Sequence, residues 1–172
     1  MDETLGSPGA VDTAAVELAR CPVGDVLAAS GWSPGRQVAV DDVVELLAAE
    51  GHRFSPRSRA LLVSLTGLTL WPDGDLSAAA AGSGPQPDPV VIDPVGSGSG
   101  ELDRIHLAEA ALGVELAPLG EVGLDLLATD PTGRLVRIGV VEVGVLGDDL
   151  GSSMCQLLRP DPDRPTRWVR LS

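Results

Sequence analysis

Gly96, Gly98 and Gly100 recur at alternate positions between an apolar run, Val90-Val91-Ile92, and a helical pattern that opens at Glu101. A dinucleotide-binding loop occupies such a place, because glycines let backbone amides approach a pyrophosphate at a helix N-terminus. The third glycine of that fingerprint falls on Glu101, whose carboxylate would repel the phosphate. Asp73-Gly74-Asp75 has the opening of a calcium loop, but its sixth position is Ala78 and its twelfth Gly84, where glycine and a bidentate glutamate are needed. His106 and Glu109 share a helix face at i, i+3 as metal ligands can, with no further ligand in the pattern, and His52 sits in a turn. Ser152 and Ser153 precede Cys155 without a GxSxG elbow, and helical spacing sets Cys155 beside apolar residues, as a buried structural thiol. Cys21 and Cys155 make neither a CxxC pair nor a disulfide framework. None of the 25 acidic residues stands out as half of a catalytic pair. The residues therefore predict no enzyme, no cofactor and no metal.

Composition narrows the remaining classes. The 172 residues fit one domain. Apolar residues make up 44% of the chain and aromatic residues only 2%, so the core is built from Leu, Val and Ala, and few rings are present for stacking on bases. The net charge of −13 argues against direct contact with nucleic acid and suits a basic partner. No signal peptide and no apolar run of about 18 residues is visible, which predicts a cytoplasmic protein without membrane contact.

The elements expected to position any site follow from periodicity. Residues 1–10 read as a flexible tail and Val11 to Ala29 as helix interrupted at Pro22, with Leu18, Val26 and Leu27 facing inward. Gly31-Trp32-Ser33-Pro34-Gly35-Arg36 is a turn. Its Trp is expected to cover the core and its Arg to tie down a loop, although both types are common binding hot spots. A helix follows from about Asp42, with Asp42 and Glu45 as a capping box and Gly51 as its stop. Ser55-Pro56 opens the next helix, which runs to Thr66 and carries Leu61, Leu62, Val63 and Leu65. Residues 72–89 read as a loop insertion, and 96–100 as a flexible linker before a helix whose stripe is Leu102, Ile105, Ala108 and Leu112. Strands are expected over 114–119, 124–129 and 134–141, the last two joined by Asp130-Pro131-Thr132-Gly133, with 143–146 extending the last strand. Asp148-Asp149 opens a final helix carrying Leu150, Met154, Leu157 and Leu158. Residues 160–172 form a C-terminal tail in which Trp168 to Leu171 could add an edge strand. The sum is an α+β domain over 11–159, with N-terminal helices, a mainly antiparallel sheet and a C-terminal helix.

The order of these pieces resembles the SUKH superfamily of bacterial immunity proteins, specifically its third subfamily. The matching segments are Gly31-Trp32-Ser33-Pro34-Gly35-Arg36, Leu65-Thr66-Gly67-Leu68, Ile92-Asp93-Pro94, Leu116 to Glu121, Leu127-Ala128-Thr129-Asp130, Gly133 to Val136, and Gly147 with the helix ending in Leu157-Leu158. Thr66 departs from a second glycine usual before Leu68, and the insertion over 78–89 is a further departure. The resemblance implies a SUKH-like fold and a protein that binds and neutralises a cognate toxin, often a nuclease or deaminase of a polymorphic toxin system. It implies no catalytic residues. The expected partner surface is acidic: Trp71, Asp73 and Asp75, with Asp148 and Asp149. The alternative class is a small-ligand-binding or regulatory module on the same fold.

Overall fold

Ser55 accepts a hydrogen bond from the Ser58 amide at 3.0 Å, and Pro56 fills the first helical position, where its missing N–H costs nothing. Asp93 and Asp149 cap two further helices in the same way. The computed structural model describes residues 8–72 and 87–171, which contain seven helices and seven strands. In chain order these are α1 (Pro8–Arg20), α2 (Gly24–Ala29), α3 (Asp41–Glu50), α4 (Pro56–Leu65), β1 (Thr69–Leu70), β2 (Val90–Val91), α5 (Pro94–Gly98), α6 (Leu102–Leu112), β3 (Ala117–Val122), β4 (Asp125–Thr129), β5 (Leu135–Ile138), β6 (Glu142–Val145), α7 (Leu150–Leu158) and β7 (Arg167–Arg170). The α+β class, with N-terminal helices, an antiparallel sheet and a C-terminal helix, is as the sequence indicated.

The strands follow one another in space in chain order, each pair antiparallel. Residues two apart on a strand share a face, so neighbouring residues serve opposite cores. Leu127 and Leu135 join the larger core, beneath α1, α2, α4 and α7, with Leu18, Leu61, Leu65 and Met154. Leu126, Ala128, Val136 and Ile138 face the other way and pack under Ile105 and Ala108 of α6. Both faces of the central strands are therefore covered, which explains their almost continuous apolar sequence. Each fully buried Leu contributes roughly 1.5–3 kcal/mol relative to an exposed one, so the aliphatic core suffices without disulfide or metal.

Several details differ from the sequence reading. α1 begins at Pro8, inside the stretch expected to be loose. α3 begins at Asp41 after Val40 and has no side-chain cap, and its buried residues are Val44 and Leu47, whereas Leu46 is half exposed. The expected capping box at Asp42 is absent because the helix starts one residue earlier. Residues 143–146 do not prolong the preceding strand: the chain reverses at Val140-Val141, and Glu142–Val145 is a strand of its own. The 96–100 linker is largely helix α5, capped by Asp93, whose Oδ1 accepts from the amides of Val95 at 3.0 Å and Gly96 at 3.1 Å. Gly98 is there for packing, since a Cβ would lie 2.9 Å from Pro118 and 3.0 Å from Leu47. The Gly100 amide donates to Glu50 Oε2 at 3.1 Å. The amides of Gly96 and Gly100 are thus already held by carboxylates, the reverse of a phosphate cradle.

Candidate functional site

The sheet register decides which surface residues can act together. Leu70, Val90, Val122, Asp125, Gly139 and Glu142 lie in one row across the strands, closed by Arg170. One step further out stand Trp71, Gly123, Leu124, Val140 and Val141, at one end of the sheet. The Leu171 amide, donating to the Val141 carbonyl at 2.9 Å, extends this row to the last strand. Asp148 and Asp149 follow β6 at its far end and so lie at the opposite end of the sheet.

Of the expected partner residues, Trp71 thus lies at the other end of the sheet from Asp148 and Asp149. Trp71 is half-buried beside β1, and Asp73 and Asp75 lie outside the described residues. Asp148 and Asp149 are together and exposed, at the mouth of α7. Asp149 is engaged there: its Oδ1 accepts from the Ser152 amide at 2.7 Å, and Ser152 Oγ accepts in turn from the amides of Asp149 at 3.1 Å and Asp148 at 3.0 Å. The backbone and side-chain hydrogen bonds from Ser152 hold the Asp149 carboxyl below the usual carboxylate range.

This corner opens onto a groove of about 1010 Å³ beside α7, whose lining includes Asp148, Asp149 and Asp161 together with Arg134, Arg164 and Arg167. No sequence pattern announces this clustering, because the arginines come from the residue before β5, the segment after α7, and β7. Arg134 is already bound, with Nε 2.6 Å from Asp130 Oδ2. Asp130 is 1% exposed, and its Oδ1 accepts from Thr132 N at 2.9 Å, Thr132 Oγ1 at 2.7 Å and Arg134 N at 3.0 Å. Burial pushes its carboxyl up, but the hydrogen bonds from Thr132 and Arg134 and the arginine charge outweigh this, and the net shift is downward. Asp130 therefore builds the β4–β5 turn.

Other chemistry-bearing residues are also accounted for by structure. Glu109 lies 3.9 Å from His106 and 3.7 Å from Arg53, and it accepts the Leu116 amide at 2.8 Å, fixing the approach to β3. His52 is buried, and its Nε2 donates to the Gly98 carbonyl at 2.9 Å, which ties the α3–α4 turn to the end of α5. Trp32 is buried in the larger core, and Arg36 donates to the carbonyls of Ser64 at 2.9 Å and Thr66 at 2.7 Å at the end of α4. Trp32 and Arg36 thus play the structural parts expected of them. Cys155 is half-buried instead of fully buried, and it neighbours Cys21, whose thiol donates to the Gly151 carbonyl at 3.6 Å. Burial pushes the Cys21 thiol up, so it stays protonated and unreactive. No cluster of three or more His, Cys, Asp or Glu side chains able to hold a metal occurs among the described residues. No described helix is long and apolar enough to cross a membrane.

The family model described as SUKH-3 immunity protein matches residues 20–159. The chain belongs to the SUKH-3 immunity protein family. No curated protein and no solved structure matches it. In this SUKH-3 chain the matched span runs from the end of α1 to the residue after α7, so it takes in most of both cores, Asp148 and Asp149, and the Leu124 and Val140 turns, but not Arg164 and Arg167 of the groove. Strand β7 lies beyond it.

Proposed function

We propose that this chain is the immunity partner of a polymorphic toxin system: it binds a cognate toxin domain in the cytoplasm of the cell it protects and blocks it without catalysis. The toxin is one that acts on nucleic acid, a nuclease or a deaminase. The observation that carries this reading is the SUKH-3 match over 20–159. The net charge of −13 supports the choice of toxin, because a surface shaped to hold phosphates is basic and attracts an acidic inhibitor. Trp71 with Asp73 and Asp75, and Asp148 with Asp149, are the proposed contacts.

The test is co-expression with the toxin domain encoded beside this chain, scoring cell survival and co-purification. Rescue with a stable complex supports the reading. Death of the cells despite folded protein, with no complex, refutes it for that toxin. The groove beside α7 favours the second reading, a small-ligand module, because both cationic and anionic side chains line it. A ligand that raises the melting temperature of the wild type but not of an Arg134→Ala, Arg167→Ala variant would decide for that alternative.

A further inference from the structure

Leu124, Val140 and Val141 are 89%, 77% and 59% exposed, the three most exposed large apolar side chains among the described residues. They sit at neighbouring turns: Leu126 pairs with Ile138, so Leu124 and Val140 continue the same register past the sheet end. Aliphatic side chains gathered at adjacent turns are uncommon on a surface with no partner. These turns are also held in place. Arg104 reaches across from α6 and donates to the carbonyls of Leu124 at 3.1 Å, Ile138 at 2.7 Å and Gly139 at 3.2 Å. Gly139 N donates to Glu142 O at 2.8 Å, closing the second turn.

The rim is acidic. Asp88 lies against the first turn, where a Cβ on Gly123 would come within 2.6 Å of its carboxylate, and Glu142 follows Val141. Neither has an ion pair among the described residues, although Arg170 stands opposite Glu142 on β7. The other cations here are engaged: Arg104 on the carbonyls, and Arg137 on Asp125 at 2.6 Å.

Resting on the immunity reading, we propose that the apolar tip of Leu124, Val140 and Val141 is the surface that docks the toxin. The partner presents an apolar recess ringed by basic residues. The tip enters the recess while Asp88 and Glu142 meet the basic ring. Removing these aliphatic side chains from water contributes roughly 25 cal/mol per Å² of apolar surface buried, and pre-ordered turns lower the entropy lost on binding.

The experiment is calorimetric titration of the adjacent-locus toxin domain into the wild type, Leu124→Asp with Val140→Asp, Leu124→Ala with Val140→Ala, and, as a charge control on the exposed face of α3, Glu45→Arg. Melting temperatures and sedimentation of the free proteins are recorded alongside. Expected are a loss of affinity of about a hundredfold in the Asp pair, about tenfold in the Ala pair and little change in Glu45→Arg, all at wild-type melting temperature. Wild-type affinity in both tip variants overturns the proposal and leaves the immunity reading standing. Wild-type self-association through the tip with toxin affinity unaffected by its loss also overturns it. Failure of the wild type itself to bind overturns the immunity reading for that toxin, and the tip proposal falls with it.

Discussion

Arg104 Nη2 lies 3.1 Å from the Leu124 carbonyl, so a helix side chain holds a turn twenty residues away in sequence. The same guanidinium bonds Ile138 and Gly139, joining the β3–β4 and β5–β6 turns to one another and to α6. Guanidinium suits the task, because its planar fork of donors reaches several carbonyls at once where an ammonium would serve as a point. Arg104→Ala should cost about 1–2 kcal/mol, less than a buried charged network because water can replace the donor at this partly open site. Arg104→Lys should recover only part of it. Toxin affinity should fall further than stability does, since the turns lose their order before the core is touched. Denaturant melts paired with titration measure both.

Asp130 should make the chain acid-sensitive in a defined window. Its carboxyl is shifted down on folding. A lowered folded value means that the stabilisation is fully present above the unfolded value of about 3.9 and fades as pH falls through the lower folded one. Asp130→Asn keeps the Oδ1 acceptor but removes the charge facing Arg134, and should cost about 1.5–3 kcal/mol near neutral pH. The gap in melting temperature between wild type and variant should narrow below about pH 4. A gap that stays constant with pH would show that the charge is not what Arg134 responds to.

Gly120 sits at the β3 bulge between Pro118 and Gly120, where a Cβ would lie 2.1 Å from the Val91 carbonyl oxygen and 3.0 Å from Ile92 Cα. Both are backbone atoms that no rotamer change can move. Gly120→Ala should therefore destabilise by about 3 kcal/mol or more, through displacement of β2. Gly35, with nothing within 4 Å of its Cβ position, is the matched control, and Gly35→Ala should fall within about 0.5 kcal/mol of wild type. Equilibrium unfolding of the two variants tests the contrast.

Arg36 closes the C-terminus of α4 by donating to the carbonyls of Ser64 and Thr66. Lost terminal carbonyl partners should make Arg36→Ala cost about 1–2 kcal/mol with no loss of toxin affinity. A drop in affinity at unchanged melting temperature would instead make the Trp32–Arg36 corner part of the interface.

Local chemistry determined much of this protein in the sequence itself. Ser55-Pro56 fixed a helix start, Gly51 and Gly113 fixed helix ends, and Asp130 to Gly133 fixed a hairpin, because each depends on bonds within a few residues. The apolar stripe of Leu150, Met154, Leu157 and Leu158 placed α7, and the ordered series of short segments pointed to the SUKH-3 family. What only the tertiary structure decided depends on register. It separated Trp71 from Asp148 and Asp149 by placing them at opposite ends of the sheet, although both sets are acidic or aromatic surface positions. It also gathered Arg134, Arg164 and Arg167 beside one groove and set Leu124 next to Val140. Leu124 and Val140 each read as ordinary strand residues in sequence; only the turns on either side, tied by Arg104 across the chain, bring them into solvent together. Strand pairing is a long-range relation, and composition and periodicity carry no record of which turn will stand beside which.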